Sequence, residues 1–286
     1  MVRKFTYGSL EETKVSEHGE ILKISHEKFD ATVSTFGGQV LSWHPKPYSP
    51  IFWCSSNTPL DGSKAIRGGI PICWPWFGDF QGKGNHGFAR NHAWLVKHIK
   101  FERDVVELVL VLFGTELSDA WPAGFKLVQT LRFSDTFSQE ITYTNIGSDI
   151  QRFSHALHNY FQVSTPGQTI IPELKEVWFD DKISERQGCP PQELRNLEGP
   201  VDRIYHFDNT VTLIDKGLGR AIEISKFNAG QWIVWNPGED LASTMSDIHP
   251  GGEQEFVCVE AGNTNWLEVE PEQSVSFGQQ IKVYNL

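Results

Sequence analysis

Apolar and polar residues alternate along most of the chain. Residues 31–43 read ATVSTFGGQVLSW, and the segments 106–113, 126–133 and 138–145 continue the alternation. Because successive side chains of a β-strand point to opposite faces, a period of two predicts strands with one buried face. The same pattern returns at residues 210–215, 220–225, 231–235, 255–260 and 274–284. No segment has the i, i+3, i+4, i+7 apolar spacing of a long helix, so we predict an all-β, antiparallel sandwich rather than an α/β fold.

Nothing in the sequence marks a boundary between two domains. The chain has 286 residues, and no low-complexity linker, charge block or short repeat divides it. Sandwiches of this length often fold as one unit, so we predict a single domain over residues 1–286. Residues 57–92, rich in Gly, Pro and Trp, and residues 164–203 lack clear strands. We expect long loops there, and long loops on a rigid sheet commonly carry binding groups.

Composition narrows the classes of partner. With 25 Lys and Arg against 36 Asp and Glu, the formal charge is −11, which disfavours binding to nucleic acid or to anionic membranes. The N-terminal residues lack the apolar run of a signal peptide, and no segment is apolar enough to span a bilayer, so no membrane association is expected. The four cysteines have no C-x-x-C spacing, which favours free thiols in a reducing cytoplasm.

Two arginines lie beside glycines and aromatic residues in the first predicted loop. Arg67 belongs to RGGIPICWPWFG and Arg90 to HGFAR. A guanidinium presents a planar set of donors that suits phosphate or carboxylate, and Gly68 and Gly69 would allow a close backbone approach to an anion. The alternative is that both arginines pair with carboxylates, which are abundant in this acidic chain.

Two histidines three residues apart occur in FSHALHNYFQV, residues 153–163. In a regular strand His155 and His158 would point to opposite faces, so they cannot bind one metal ion together. The face of His155 also carries Phe153 and Leu157, which predicts a core histidine. The face of His158 carries Tyr160 and is of the mixed polar kind that lines a ligand cleft.

A carboxylate ends the predicted strand EFVCVE. Glu260 shares a strand face with Phe256 and Cys258 and precedes AGN. Partial burial raises the pKa of a carboxyl group, and carboxyl groups perturbed in this way are often catalytic. The alternative, that Glu260 only pairs with an arginine, stays open on these residues alone.

These residues do not have the spacing of a metal site, a nucleotide-binding glycine loop or a G-x-S-x-G nucleophile. One histidine and one carboxylate suggest an acid/base pair, which needs no cofactor. We therefore expect neither a metal nor a cofactor in the mechanism.

Six motifs together resemble the glucose-6-phosphate 1-epimerase family, the hexose-6-phosphate mutarotase branch of the aldose 1-epimerase superfamily. In chain order they are IRGGIPICWPWFG, HGFAR with a following Trp, ALHNYF, GPVDRIY, WNPG and VCVEAGN. They spread over about two hundred residues, and the resemblance reaches nearly the whole chain. It implies a galactose-mutarotase-like β-supersandwich.

The resemblance also implies roles for six residues. It places the catalytic histidine at His158 and the catalytic glutamate at Glu260. It implies that Arg67 and Arg90 recognise phosphate. His86 and Asp202 are then implied to contact the sugar. The expected activity is interconversion of the anomers of a hexose 6-phosphate, a small-molecule substrate, without a cofactor. We expect the protein to be a monomer.

Three other functions are compatible with some of these residues. A non-catalytic sugar-phosphate-binding protein could use the same fold. A glycoside hydrolase would use two carboxylates, such as Glu260 with Asp202 or Asp247. A metal-dependent cupin is disfavoured by the opposite directions of His155 and His158.

Overall fold

The computed structural model describes residues 1–286, which form 21 β-strands and one α-helix. The strands of the first half are β1 (Val2–Phe5), β2 (Gly8–Ser16), β3 (Gly19–His26), β4 (Phe29–Ser34), β5 (Gln39–Pro45), β6 (Ile72–Cys73), β7 (Leu95–Phe101), β8 (Val106–Gly114), β9 (Phe125–Phe133) and β10 (Thr136–Asn145). The remaining strands are β11 (Gln151–Leu157), β12 (Tyr160–Gln162), β13 (Thr169–Ile170), β14 (Phe179–Asp181), β15 (Arg186–Cys189), β16 (Val201–Tyr205), β17 (Val211–Asp215), β18 (Arg220–Phe227), β19 (Gln231–Asn236), β20 (Phe256–Val269) and β21 (Ser274–Asn285). The helix α1 covers Gly238–Thr244, and short 3-10 helices cover Ala89–Asn91, Pro166–Gln168, Pro172–Leu174 and Gly252–Gln254.

The strands form three antiparallel sheets. The first sheet has the order β1-β2-β3-β4-β5, and the second has the order β13-β17-β18-β21-β10-β9-β8-β7. The third sheet has the order β15-β14-β16-β19-β20-β11-β6, with the short β12 paired to β20. The all-β, antiparallel sandwich predicted from the sequence is confirmed.

Alternating burial shows why these segments become strands. Strand β10 alternates between buried and partly exposed positions along its whole length. Its inward residues meet the third sheet, for instance where the rings of Tyr143 and Phe153 lie 5.0 Å apart. A cluster of 54 buried apolar residues draws on all three sheets. One continuous core therefore supports one face of the third sheet, and the opposite face carries the candidate site.

The elements differ from the sequence-based prediction in three places. The segment 31–43 is two strands rather than one, because Gly37 and Gly38 adopt positive φ and turn the chain between β4 and β5. Residues 57–92 and 164–203, predicted as long loops, contain the short strands β6, β13, β14 and β15 and the start of β16. The strands before residue 28 and strand β7 were not predicted, since their mixed polar sequences lack a clean alternation.

None of the helices has the length and apolar character needed to cross a bilayer.

Candidate active site

Strand register brings the first catalytic candidates together on one face of the third sheet. In β20, Cys258 and Glu260 are two residues apart, so both point to the same side. Cys258 lies opposite Tyr160 of β12, and Glu260 lies opposite Ile233 of β19. This face therefore presents a carboxylate between two neighbouring strands.

His158 lies where β11 ends and before β12 begins. Its ring stacks on Tyr160 with 4.7 Å between the ring centroids and 8° between the planes. Its Nε2 is 3.4 Å from Oε1 of Glu260, and the side chains are only 8% and 1% exposed. The two residues that the sequence separates by about a hundred positions thus form a buried pair. The remaining polar atoms of this pair, Nδ1 of His158 and Oε2 of Glu260, are buried without a hydrogen-bond partner.

A chain of buried amides holds the break between β11 and β12 in place. The Asn159 amide donates to the Val259 carbonyl and to Oε1 of Gln279, and Gln279 donates back to Oδ1 of Asn159. Gln279 also donates to Gln139, which donates to Gln129. Because Asn159 follows His158 and Val259 precedes Glu260, this chain connects the backbone beside both members of the pair to the second sheet.

Burial shifts the two members of the pair in opposite directions. It raises the pKa of Glu260 well above its usual value, and Asp202 adds to this effect while Arg90 opposes it. It lowers the pKa of His158 well below its usual value, and the charges of His86, Arg90 and Arg67 lower it further. In the resting site these shifts favour a proton on the carboxyl group and a neutral imidazole. For His158, desolvation outweighs the attraction for a proton that an anionic neighbour would add.

His155 is a core residue, as its strand face indicates. Its ring stacks on Phe277 at 3.7 Å, and its Nε2 lies 3.2 Å from the carbonyl oxygen of Asn228. Burial lowers its pKa to about 3, so it is neutral at physiological pH. The side chain lies between the sheets, on the side of the strand opposite to that of His158.

Arg67 reaches the rim of the site but is already partnered. Its Nε donates to Oδ2 of Asp247 at 3.0 Å, Nη2 lies 3.0 Å from the same oxygen, and Nη1 donates to the Tyr160 hydroxyl at 2.8 Å. Pairing with a carboxylate, the alternative left open by the sequence, is thus what the structure shows for Arg67. An incoming anion would share this guanidinium with Asp247.

Arg90 has fewer hydrogen-bond partners than Arg67 and no ion pair. It donates through Nη2 to the carbonyl of Asn85, whereas its Nε is buried without a partner. No carboxylate lies within ion-pair distance of it. Arg90 therefore retains a full positive charge for an anion in the cavity.

His86 is neutral and can donate a hydrogen bond to a ligand. Burial lowers its pKa to about 3, and the charges of Arg90 and Arg67 contribute. Its Nδ1 accepts the backbone N–H of Gly78. The neutral ring therefore carries its proton on Nε2, where it can donate to a hydroxyl group. The ring lies edge-on to His158, with centroids 5.7 Å apart.

The prediction that the glycines beside Arg67 allow a close backbone approach to an anion is wrong. Gly68 and Gly69 have φ values of +120° and +61°, and a Cβ on Gly69 would lie 2.0 Å from the Val40 carbonyl oxygen. Their freedom is used to pack the loop against the protein backbone. This packing places Arg67 next to β12, because Gly69 accepts a hydrogen bond from Tyr160 N–H.

The opposite wall of the site contains Asp202 and two residues that sequence reasoning missed. Burial raises the pKa of Asp202 to about 6, with Lys182 lowering it and Asp181 raising it. Lys182 and Trp235 line the same cavity, and Trp235 lies opposite Asp202 in the pairing of β16 with β19. Lys182 had no signal in the sequence, because it belongs to a turn after β14.

The cavity that joins these walls has a volume of about 440 Å³, in the range of small-molecule sites. It is lined by all six residues singled out in the sequence: Arg67, His86, Arg90, His158, Asp202 and Glu260. It is also lined by the aromatic rings of Phe77 and Trp235, by Met245 and by the polar residues Asp79, Asn85 and Lys182. The arrangement can take up a polar, anionic molecule and move a proton at one point of it.

One further group of side chains, which joins two lining residues to the buried Cys258, was not expected. His158, Cys258 and Glu260 offer a nitrogen, a sulfur and an oxygen that all lie within 4.8 Å of one another. The opposite directions of His155 and His158 excluded a shared metal between the histidines, and the structure agrees on that point. Cys258 adds a third possible ligand, and the pKa of its thiol is raised by burial and by Glu260.

Comparison with known proteins finds relatives over most of this chain. The family model for aldose 1-epimerase matches residues 20–282. The chain is 30% identical over 269 residues to an Escherichia coli (strain K12) protein provisionally named a glucose-6-phosphate 1-epimerase, covering 92% of this chain and 90% of that one. A Cenchrus ciliaris protein with the same provisional name is 29% identical over 243 residues, covering 80% of this chain and 74% of that one. The crystal structure of a protein from Salmonella typhimurium, YeaD, provisionally named a mutarotase, superposes with a TM-score of 0.90 at 27% identity, covering 100% of this chain and 96% of that one.

Proposed function

The chain belongs to the aldose 1-epimerase family, and we propose that it acts as a hexose-6-phosphate mutarotase, interconverting the α and β anomers of its substrate. The observation that carries this proposal is the buried His158–Glu260 pair, 3.4 Å apart, in a cavity with two arginines at its rim. The provisional names of the relatives support a glucose 6-phosphate-like substrate.

Mutarotation requires one base and one acid at the anomeric centre. The base removes the proton of the O1 hydroxyl while the acid protonates the ring oxygen O5, and the C1–O5 bond breaks to give the open-chain aldehyde. Rotation about C1–C2 exposes the other face of the carbonyl. The two groups then return the protons as the ring closes. A pair that holds one proton supplies both functions, and we assign the base to Glu260 and the acid to His158.

Substrate binding would favour the required position of the proton. The charges of Arg67 and Arg90 are among the causes that lower the pKa of His158. A phosphate dianion bound to both arginines would offset these charges and so raise the affinity of the imidazole for a proton. The proton then moves from the carboxyl group to His158, leaving Glu260 as the anionic base.

The energy required of this pair is modest. Positioned acid or base catalysis typically contributes about 10²- to 10⁴-fold, or about 3 to 5 kcal/mol for each group. No electron or group is transferred, so we propose that the reaction needs neither a metal nor a cofactor. The other lining residues would then orient the sugar.

Each wall of the cavity has a proposed part in that orientation. Arg67 and Arg90 would bind the phosphate. Arg90 would contribute its charge undiminished, because it has no carboxylate partner. His86 would donate Nε2–H to a sugar hydroxyl, and Asp202 would accept one. Trp235 offers an apolar ring surface on the same side as Asp202.

The test is magnetisation-transfer NMR of anomer exchange with the purified protein, comparing glucose, galactose and mannose 6-phosphates with the free sugars. We expect faster exchange of at least one hexose 6-phosphate at a given concentration than of the matching free sugar, and full activity in a metal chelator. No acceleration of any phosphosugar would contradict the proposal. Release of a sugar from an aryl glycoside would instead support a hydrolase, which the comparisons do not favour and for which Asp247 is engaged by Arg67.

We also propose that the protein works as a monomer in the cytoplasm, with no nucleic-acid partner. The four cysteines, Cys54, Cys73, Cys189 and Cys258, are all unpaired, which suits a reducing compartment. The net charge of −11 supports the exclusion of nucleic acid. Sedimentation at micromolar concentration would test the oligomeric state.

A further inference from the structure

We propose that His158 and Glu260 of the cavity wall, together with the buried Cys258, form an inhibitory site for a thiophilic divalent cation such as Zn²⁺. Each residue offers one ligand atom, and the three atoms lie within 4.8 Å of one another. All three side chains are buried, and the cavity opens onto His158 and Glu260. Binding of the metal would not depend on the proposed function, whereas its inhibitory effect would.

The spacing of the ligand atoms is close to what zinc requires. With Zn–N and Zn–O bonds of about 2.0 to 2.2 Å in a tetrahedron, two ligand atoms lie roughly 3.4 Å apart. Nε2 of His158 and Oε1 of Glu260 are already separated by 3.4 Å. With a Zn–S bond of about 2.3 Å, the Cys258 sulfur has to come within roughly 3.6 Å of the other two ligand atoms, a shift of at most about 1.2 Å for a pair at the 4.8 Å limit. The fourth position would face the cavity and take a water molecule.

The ligand types select the class of cation. A thiolate with an imidazole and a carboxylate suits Zn²⁺, Co²⁺ or Cd²⁺, whereas Mg²⁺ and Ca²⁺ prefer oxygen ligands alone. On binding, the thiol proton of Cys258 and the shared proton of the His158–Glu260 pair are released to the buffer, and the thiolate, imidazole and carboxylate bind the metal. No oxidant or reductant is involved.

The consequence is competition with the substrate. A metal held here removes the imidazole lone pair and the carboxylate that the proposed reaction uses. It also occupies space at the anomeric centre. The free protein should therefore be more sensitive to Zn²⁺ than the protein saturated with hexose 6-phosphate.

Cys258 allows the site to be tested apart from catalysis. Its side chain packs with Trp53, Tyr160 and Phe256 and has no part in the proposed reaction. The variant Cys258→Ala should keep mutarotase activity. A matched control is Cys54→Ala, which removes a thiol whose sulfur donates instead to the Arg67 carbonyl.

The first experiment measures metal binding directly. Purified protein is titrated with Co²⁺, and the near-ultraviolet thiolate-to-cobalt band is recorded for the wild type, Cys258→Ala and Cys54→Ala. We expect the band in the wild type and in Cys54→Ala, and its loss in Cys258→Ala. Absence of a thiolate band in the wild type, or its survival in Cys258→Ala, would overturn the proposal whatever the protein's activity.

The second experiment measures inhibition. The Zn²⁺ concentration that halves anomer exchange should rise at least about tenfold in Cys258→Ala, because loss of a direct ligand should cost no less than loss of an outer-shell partner. Cys54→Ala should match the wild type, and a chelator should restore activity. Equal Zn²⁺ sensitivity in wild type and Cys258→Ala would refute inhibition through this site. If the protein lacks mutarotase activity altogether, the proposed function fails while the cobalt titration still decides the metal site.

Discussion

The Arg67–Asp247 ion pair makes phosphate recognition sensitive to a carboxylate that does not itself bind phosphate. Nε and Nη2 of Arg67 both lie 3.0 Å from Oδ2 of Asp247, and the two side chains are 21% and 24% exposed. Because Asp247 offsets part of the Arg67 charge, Asp247→Asn should strengthen binding of a hexose 6-phosphate. The asparagine keeps an oxygen that can accept from the guanidinium.

The magnitudes follow from the geometry. Loss of a charged hydrogen bond in Arg67→Ala should cost about 1.5 to 3 kcal/mol, or roughly 10- to 150-fold in KM. A phosphate on the far side of the guanidinium would lie roughly 6 Å from Asp247, where repulsion in a largely aqueous dielectric is about 1 kcal/mol. Asp247→Asn should therefore lower KM about fivefold, and adding it to Arg67→Ala should recover a similar factor.

The assay is kcat and KM for glucose 6-phosphate and for glucose across the wild type, both single variants and the double variant. Glu268→Gln is the matched control, since it removes one negative charge from an ion pair with Arg152 that does not line the cavity. We expect changes in KM for the phosphosugar only. Equal losses on glucose in Arg67→Ala would show that this arginine is structural, and no effect of Asp247→Asn would refute the electrostatic argument.

Three further outcomes follow from the same structure. The pH dependence of kcat is best measured with glucose, because the phosphate of a phosphosugar itself titrates near pH 6. Since burial lowers the pKa of His158, kcat should stay level through neutral pH and fall only below the usual histidine pKa of about 6.5. A fall in kcat with its midpoint at pH 6.5 would contradict this. Because the pKa of His155 is lowered to about 3, the unfolded chain binds one more proton between pH 3 and 6.5, so stability falls with acidification. In urea unfolding between pH 6.5 and 5, His155→Phe should lose about 1 to 2 kcal/mol less stability than the wild type, and an equal loss would contradict this role of His155. Asn159→Leu leaves Oε1 of Gln279 without its donor and should cost about 1 to 3 kcal/mol of stability by chemical denaturation. It should also lower kcat by a larger factor than it changes KM, and a kcat equal to that of the wild type would show that the amide chain does not position the catalytic pair.

Alternation predicted most of the long strands because it reports burial directly, as in β10 and β9. It failed at Gly37 and Gly38, where a turn is set by backbone conformation rather than by hydrophobicity. It also failed for β13, which has two residues, too few to show a period. Such short strands form because a neighbouring strand is already in place.

The candidate site was predictable where a single strand carries the information. The opposite faces of His155 and His158 and the shared face of Cys258 and Glu260 follow from parity, and the structure places them accordingly. What parity cannot predict is which distant segments meet. The pairing of Arg67 with Asp247 joins positions 180 residues apart.

The direction of the pKa shifts was also only half predictable. Burial of Glu260 at a strand end indicated a raised pKa, and the structure agrees. A neighbouring carboxylate by itself would favour a proton on His158, but the same burial acts on both groups and lowers the pKa of the imidazole. The balance depends on how much solvent each group loses, which is a property of the assembled cavity.

The central claim is that His158 and Glu260 act together on the anomeric centre. Its most direct test is magnetisation-transfer NMR of glucose 6-phosphate anomer exchange with the wild type, His158→Asn, Glu260→Gln and the double variant, alongside phosphosugar binding by calorimetry. We expect each single variant to lose accelerated exchange while still binding the sugar, and the double variant to lose little more than either one. Near-wild-type exchange in either single variant would contradict the account.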